Sequence, residues 1–198
     1  VTNIVSGDGL GSFSVSLTGL SQGVTYYVSA YATNSAGTSY GGVRQFTTLS
    51  QSPPTVQTGT ISGVTNNSAN GQMRVTADGG ASITEYGIVW STGTNPTTSN
   101  SKASTSGAPS INQWYSFNMT SLNANTTYYV RGFATNSAGT SYGTQTSFKT
   151  APNPPVAIAA TLVGESSFRA NWNASGGAIK YFLDVSTSSS FSSFLAGF

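Results

Sequence analysis

The stretch that decides the fold is "ATNSAGTSYG", which occurs at Ala32–Gly41 and again, without a change, at Ala134–Gly143. The two copies stand 102 positions apart, and the similarity extends well beyond them: the segment Phe13–Thr48 aligns without gaps on Tyr115–Thr150. Internal repeats at a fixed period indicate an architecture of similar units more strongly than any local pattern does. The sequence therefore predicts an array of repeats.

Apolar residues alternate along each copy of this unit. In the first copy the alternating residues are Phe13, Val15, Leu17, Tyr26, Val28, Ala30, Ala32 and, near the end, Phe46. A period of two, interrupted by Gly and Asn, predicts antiparallel strands joined by tight turns. No segment has the period of an amphipathic helix, so we predict an all-β protein.

A second similarity joins the middle of the chain to its end. The segment Val75–Thr92 resembles Trp172–Thr187, and each follows a Pro-Pro pair. A third repeat is therefore predicted to begin near Pro154. The resulting division is residues 1–49 as the C-terminal half of a repeat, 50–151 as a complete repeat, and 152–198 as the N-terminal half of a third.

The stretch "SLNANTTYYVRGFATNSAG" (Ser121–Gly139) resembles the E–F–G region of fibronectin type III domains. That region has a Leu, a Thr four positions later, a Tyr at six, and alternating apolar residues up to Asn and Gly. The matching positions are Leu122, Thr126, Tyr128, Val130, Gly132, Ala134, Asn136 and Gly139, and in the first copy Leu20, Val24, Tyr26, Val28, Ala30, Ala32, Asn34 and Gly37. The family's strand-B Trp is matched by Trp172, and its strand-C alternation by Tyr181, Leu183 and Val185.

This resemblance implies tandem fibronectin type III sandwiches of the immunoglobulin-like kind, one complete and two partial. It also implies that Tyr26 and Tyr128 are tyrosine corners, whose hydroxyl groups bond to nearby backbone.

The central repeat departs from the family pattern once. It has Val75 where the third repeat has Trp172, and Trp90 where the third repeat has Val185. Strands B and C of the implied sandwich face each other across one core, and cores tolerate exchanges that keep the total volume. We therefore predict that Trp90 lies inside; the alternative is a Trp90 on a solvent-facing surface.

Composition narrows the classes of partner. Only 6% of the residues are charged, the net charge is +2, and the seven basic residues are scattered singly. Because nucleic-acid binding relies on clustered basic residues that neutralise phosphates, we expect no nucleic-acid partner. The longest apolar run, near residues 157–163, is far shorter than the roughly 20 residues that span a bilayer, so we expect no membrane insertion in this segment.

The chain contains no His and no Cys, which removes the commonest general base and most zinc ligand sets. Among the acidic residues only Asp78 and Glu85 flank one turn, as a glycosidase pair would have to. A solvated turn Asp and a strand-edge Glu explain them more simply. Asp8 in "SGDGLG" is a single carboxylate, too little for calcium. We therefore expect no catalytic residue, no metal and no cofactor, and we expect that this chain is not an enzyme.

A candidate interaction surface follows from strand alternation. If Tyr26, Val28 and Ala30 face inward, Tyr27 and Tyr31 face outward, and so do their counterparts Tyr129 and Phe133. Such aromatic pairs could stack on the sugar rings of a surface polysaccharide or cover a protein partner; the alternative is that they shield their own sheet.

The repeated turn adds two further candidates, Asn34 and Asn136. Loops at the ends of a sandwich often carry recognition residues. The alternative is that Asn and Gly recur here because a tight hairpin requires them.

These observations predict a non-catalytic structural or adhesive repeat segment, a stalk or filament of a large bacterial extracellular or surface protein. A Cys-free, charge-poor β protein rich in Ser, Thr and Asn is typical of bacterial secreted or surface proteins. The alternative function is a spacer or carbohydrate-binding accessory region of a secreted polysaccharide-degrading enzyme.

The expected partners are other repeats or copies of the same chain, since strands A–C from one end could complete strands E–G at the start of a second copy in a head-to-tail filament. The alternative is that the two half-repeats belong to a longer array.

Overall fold

The computed structural model describes residues 11–193, and all of the regular secondary structure in that range is β-strand. The predicted all-β class is confirmed. None of these residues forms a helix long and apolar enough to cross a membrane. The strands, in chain order, are β1 (Thr25–Val28), β2 (Tyr31–Asn34), β3 (Gly37–Tyr40), β4 (Arg44–Thr47), β5 (Thr55–Ser62), β6 (Ala69–Ala77), β7 (Glu85–Ser91), β8 (Ser101–Ser106), β9 (Tyr115–Met119), β10 (Thr127–Asn136), β11 (Gly139–Tyr142), β12 (Thr146–Lys149), β13 (Val156–Thr161) and β14 (Arg169–Asn173).

Strands β5–β12 form a two-layered sandwich in the middle of the chain. One sheet has the order β5–β6–β9, and the other has the order β8–β7–β10, with β11 and β12 both paired to the far edge of β10. All of these pairings are antiparallel. This is the fibronectin type III arrangement, with strands A, B and E facing C′, C, F and G. The predicted fold class is therefore what the structure shows.

The core of the sandwich is filled by alternate side chains from both sheets, as the sequence pattern predicts. Tyr128 and Val130 are 7% and 0% exposed, and the Tyr128 hydroxyl accepts a hydrogen bond from the Asn123 N–H at 2.9 Å, which is the expected tyrosine corner. Val75 and Trp90 both lie in this core. The predicted inward position of Trp90 is confirmed. The buried core members are Val56, Ala69, Met73, Val75, Ile83, Tyr86, Ile88, Trp90, Met119, Leu122, Tyr128, Val130 and Ala134.

The two half-repeats contain only two-stranded ladders: β1 with β4, β2 with β3, and β13 with β14. The continuous strand β10 of the central repeat corresponds to two short strands in the first half, β1 and β2, which Ser29 and Ala30 separate. Residues 13–17 and 181–185 alternate like strands but are not strands. The physical reason is that β9 forms its ladder with β6, and β7 forms its ladders with β10 and β8. Neither 13–17 nor 181–185 has such a neighbour within the described residues.

The chain enters and leaves the central sandwich at opposite ends. On the entry side, the Ser52 N–H donates to the Gly79 carbonyl at 2.9 Å. On the exit side, the Ala151 N–H donates to Thr65 O at 3.0 Å, and the Asn125 N–H donates to Ala151 O at 2.9 Å. These two junctions lie at the two ends of β10, whose ten residues span about 33 Å.

Candidate functional site

We call the repeated turn with its two flanking strands the FG hairpin, Ala134–Gly143 in the central repeat. Its turn is formed by the side chain of Asn136, whose Oδ1 accepts the N–H groups of Ala138 at 2.9 Å and Gly139 at 3.2 Å. Gly139 has a φ of 143°, which side chains rarely allow. Asn at the start of this turn and Gly at its end are therefore required by the geometry of the turn.

The first half builds the same FG hairpin at Ala32–Gly41, where β2 and β3 pair only with each other within residues 11–193. Asn34 Oδ1 accepts the N–H groups of Ala36 at 2.9 Å and Gly37 at 3.2 Å. The cross-strand hydroxyl pair Thr33–Thr38 is 2.8 Å apart, against 2.7 Å for its counterpart in the central repeat. The hairpin is therefore encoded by its own ten residues, which supports the structural explanation of the repeat.

In the central repeat the amide nitrogen of Asn136 makes two further hydrogen bonds. Its Nδ2 donates to the carbonyl oxygens of Ser52 at 2.8 Å and Asp78 at 2.7 Å. One side chain thus joins the FG hairpin to the entry segment and to the turn between β6 and β7. Asn136 is only 5% exposed, so the prediction that it lies on an interaction surface is wrong. Both ends of its amide are already engaged inside the protein.

Asn34 differs from its counterpart. It keeps the turn bonds but is exposed. Within the described residues, no bond from its Nδ2 resembles the two that Asn136 donates. Its amide therefore presents a pair of donors toward the place where the central repeat has the entry segment and the β6–β7 turn.

Phe133 corrects a second prediction. It does lie on the face of β10 that points away from the core, but it is 0% exposed rather than available to a partner. Lys102 Nζ lies over its ring at 5.8 Å from the centroid, and the Tyr142 ring packs beside it at 6.5 Å. Its cross-strand neighbour on β7 is Gly87, which leaves room for the ring.

The face of β10 that points away from the core is covered by residues whose position the alternation of apolar residues does not predict. Pro96 is fully buried, and the Thr98 N–H donates to the Tyr142 hydroxyl at 3.0 Å. The Arg131 guanidinium lies over the Tyr142 ring, 4.7 Å from its centre. The segment between β7 and β8 is therefore bound to the sheet through Tyr142. Sequence periodicity could not predict this contact, because the apolar residues of the segment do not alternate.

The remaining aromatic candidates lie where alternation places them. Tyr27 is 69% exposed, and Tyr31 is 42% exposed and packs on Tyr40 with ring centroids 5.3 Å apart. Tyr129 is half-buried, opposite Ser91 and Ser147. The exposed pair of Tyr31 and Tyr40 thus belongs to the first half-repeat, whereas its counterpart in the complete repeat is covered.

Neither candidate carboxylate is disposed for catalysis. Asp78 Oδ1 accepts the Gly80 N–H at 2.9 Å and so stabilises its own turn. Glu85 is bound by Lys102 Nζ at 2.7 Å and by the Ser104 hydroxyl at 2.6 Å. Between residues 11 and 193 no three His, Cys, Asp or Glu side chains come together as a metal site. Asp8 lies outside the described residues.

The two hydrogen bonds to Glu85 give a pH-dependent contribution to stability. The bond from Lys102, and then that from Ser104, lowers the pKa of Glu85 below its ordinary value of 4.5. A lowered folded-state pKa means that the contribution is complete above the unfolded value and is lost as the pH falls through the folded one.

We therefore expect Glu85→Gln to reduce the loss of unfolding free energy between pH 5 and pH 3. Because both partners are about a third exposed, the cost at pH 7 should stay below about 1 kcal/mol. Urea titrations at several pH values measure both quantities. An unchanged pH slope would show that the pair does not contribute.

No protein-family model matches the chain, and no curated protein is similar enough in sequence to count as a relative. Solved structures similar to it include the sensor domain of the anti-sigma factor RsgI4 of Pseudobacteroides cellulosolvens, at 22% identity and a TM-score of 0.41 over 52% of this chain and 98% of that one. The sixth fibronectin type III domain of human fibronectin type III domain containing protein 3 is 21% identical, with a TM-score of 0.35, over 52% of this chain and 86% of that one. The FN1–FN3 domains of chicken CNTN1 are 19% identical, with a TM-score of 0.38, over 67% and 45%.

Proposed function

We propose that the chain is a non-catalytic structural segment, a stalk or filament section of a large bacterial extracellular or surface protein. The observation that carries this proposal is the path of the chain through the central sandwich. It enters at one end of β10 and leaves at the other, and hydrogen bonds fix it at both ends. A pull on the chain therefore passes along the long axis of the sandwich.

The segments that join the units support the same role. Pro53 and Pro54 precede β5, and Pro154 and Pro155 precede β13. Pro-rich linkers behave as semi-rigid spacers. On the exit side Asn66 Nδ2 also donates to Asn153 Oδ1 at 3.1 Å, which ties the linker to the sandwich. Successive units therefore cannot turn freely about their linkers.

The composition suits a molecule exposed to variable surroundings. Only 6% of the residues are charged, so little of the surface behaviour depends on interactions that salt screens. The absence of Cys means that no disulfide has to form after export. These features support a secreted or cell-surface location.

Single-molecule pulling between the two ends of the chain tests the load-bearing role. We expect one dominant unfolding step from residues 53–150, whose stretched length at about 3.5 Å per residue exceeds the folded length by roughly 300 Å. A chain that extends smoothly, with no such step, would contradict the proposal.

The alternative role is a spacer or carbohydrate-binding region of a secreted polysaccharide-degrading enzyme. The complete gene separates the two, since a catalytic domain beside the repeats favours the spacer and further repeats favour the stalk. The structure weakens the sugar-binding version in the complete repeat, because Phe133 is buried beneath Lys102. If the chain binds no sugar on a glycan array, sugar binding by the exposed Tyr27 and Tyr31 is contradicted as well.

A further inference from the structure

The chain leaves its first and its central repeat in the same way. In the turn before β1 the Gly23 N–H donates to Leu49 O at 3.3 Å, and in the turn before β10 the Asn125 N–H donates to Ala151 O at 2.9 Å. We call this turn the EF turn, residues 20–24 in the first repeat and 122–126 in the central one. The linker to the following repeat therefore begins at the same position beside the EF turn in both.

At the entry to the central repeat, one linker side chain bonds to both of the repeats that it joins. Gln51 Oε1 accepts a hydrogen bond from Gln22 Nε2 of the EF turn at 3.2 Å. The same oxygen accepts the Ser137 hydroxyl of the FG hairpin at 2.8 Å. Because the two donors belong to different repeats, rotation of one repeat about the linker would break at least one of these bonds.

The backbone of the linker also lies close to both repeats. A Cβ on Gly80, in the turn between β6 and β7, would lie 3.4 Å from Ser50 O. A Cβ on Gly23, in the EF turn of the first repeat, would lie 3.3 Å from Ser50 Cβ. Ser50 thus approaches each repeat at a position where that repeat has glycine.

Asn153 makes corresponding bonds at the exit from the central repeat. Its Oδ1 accepts Asn66 Nδ2 at 3.1 Å, from the turn between β5 and β6. Its carbonyl oxygen accepts the Ser175 hydroxyl, from the turn that follows β14 in the third repeat. Asn153 is therefore bonded to both of the repeats that it joins, as Gln51 is.

The turn after β14 also meets the preceding EF turn directly. We call it, with its counterpart after β6, the Gly-Gly turn, residues 175–178 and 78–81; Gly176 and Gly177 stand where the central repeat has Gly79 and Gly80. A Cβ on Gly177 would overlap the side chain of Asn125, whereas one on Gly176 would meet no described atom within 4 Å. The close approach of the neighbouring repeat therefore requires glycine at the second position, in addition to its φ of 83°.

We propose that the EF turn is the surface by which each repeat binds the next, and that its partner is the entry end of the following repeat, formed by the Gly-Gly turn and the FG hairpin. The linker residue, Gln51 or Asn153, bonds to both sides of this joint. Successive repeats then keep one fixed orientation, and the array is a stiff rod. The identical FG hairpin gains a second role, because its Ser137 bonds to the linker. The inference deepens the structural role proposed above and rests on it.

Spin labels test the joint at the entry, since the chain contains no Cys that would compete with introduced ones. Gln45→Cys in β4 and Ser147→Cys in β12 label equivalent exposed positions of neighbouring repeats. Double electron–electron resonance should give a distance distribution as narrow as that of a control pair inside the central sandwich, Asn118→Cys with Ser147→Cys. A broad distribution across the joint beside a narrow one in the control would overturn the inference.

Two substitutions test whether the linker bonds fix the orientation. We expect Gln51→Ala to widen the distribution between residues 45 and 147 about twofold, because a Pro-rich linker alone is only semi-rigid. Ser137→Ala should widen it in the same direction. Ser35→Ala makes the same change in the identical sequence of the first FG hairpin, which is not at this joint, and should leave the distribution unchanged. An unchanged width in Gln51→Ala, or equal widening in Ser35→Ala, would overturn the inference.

The exit joint is tested with labels at Ser147→Cys and Ala160→Cys. Gly177→Ala should widen this distribution, whereas Gly176→Ala should not, because a Cβ on Gly176 has free space around it. Adding Asn125→Gly to Gly177→Ala removes the overlapping side chain and should restore the narrow distribution, which backbone strain at residue 177 alone would not allow. Equal widths in the two glycine variants, or no restoration, would overturn the contact between the two turns.

Failure of the joint and failure of the proposed role are distinguishable. Broad distributions at both joints would overturn the inference and leave the load-bearing role intact if the pulling experiment still shows the central unfolding step. Narrow distributions without that step would support the joint and contradict the load-bearing role. The urea transition of the central sandwich should stay the same in Gln51→Ala and Ser35→Ala, which shows that the sandwich itself is retained.

Discussion

Replacing Phe133 with alanine is expected to lower the free energy of unfolding of the central sandwich by about 3–5 kcal/mol, the usual cost of removing a fully buried aromatic ring. The same replacement at Tyr31, its counterpart in the first half-repeat, should change that free energy by less than about 0.5 kcal/mol. The difference arises because Phe133 lies in the central sandwich, covered by Lys102 and packed against Tyr142, whereas Tyr31 lies in β2 of the first half-repeat and is 42% exposed.

Urea unfolding followed by tryptophan fluorescence measures both effects. Trp90 and Trp114 report on the central sandwich, and a Trp172→Phe background removes the signal of the third repeat. Lys102→Met is a useful companion, because it keeps much of the cover over Phe133 while removing the charge. A loss below about 1 kcal/mol for Phe133→Ala would mean that the outer face is not a packed layer.

Phe133 and Tyr31 show which features of the fold the sequence can predict and which it cannot. Alternation along the strand correctly indicates which face Phe133 occupies, since successive side chains point to opposite sides of a sheet. It cannot indicate whether that face is covered. The cover comes from Lys102 of β8 and from Tyr142, whose hydroxyl accepts a hydrogen bond from Thr98, and these groups approach the ring only in the folded sandwich.

The inner layer was more predictable because two independent patterns agreed there. Tyr128 and Val130 follow both the period of two and the family motif, and both are buried. The exchange that places Val75 and Trp90 together in the core could be predicted because the third repeat carries the reversed pair of sizes. A repeat supplies its own comparison, and that comparison is strongest for side chains that fill a shared volume.

Strands at the edges of the half-repeats were less predictable. Residues 13–17 have the alternation of β9 but form no strand, because alternation reflects which face is apolar and not whether a ladder partner is present. A strand gains its hydrogen bonds from its neighbour. The sequence of one strand therefore cannot show whether that neighbour is there.

Asn136→Ala is expected to cost the central sandwich about 2–3 kcal/mol, because it removes four hydrogen bonds of a buried side chain, two to partly buried carbonyl groups and two to N–H groups of the turn. The carbonyl groups concerned are those of Ser52 and Asp78, which are 2.8 Å and 2.7 Å from Asn136 Nδ2. Asn34→Ala removes the same turn bonds from the first half-repeat and should leave the central urea transition unchanged. Asn34→Ala is thus the control for the substitution itself, and the contribution of the turn has to be separated from that of the cross-link within the central repeat.

Asn136→Asp makes the distinction sharper through pH. The carboxylate can still accept the turn N–H groups, but it faces two carbonyl oxygens to which it cannot donate. Repulsion from those oxygens, together with burial, should raise the pKa of the new carboxyl group above that of an ordinary Asp. The destabilisation should therefore be largest at neutral pH and decrease as the pH falls through that raised pKa, where the protonated acid can donate one hydrogen bond.

The same variants bear on load transmission, since Asn136 connects the FG hairpin to the segment by which the chain enters the sandwich. In the pulling experiment Asn136→Ala should lower the force of the central unfolding step, whereas Asn34→Ala should not. An Asn136→Asp variant as stable as the unchanged chain at neutral pH would show that the two carbonyl bonds contribute nothing. The repeated Asn would then be explained by the hairpin alone, and the entry junction would have to carry load through the Ser52–Gly79 backbone bond.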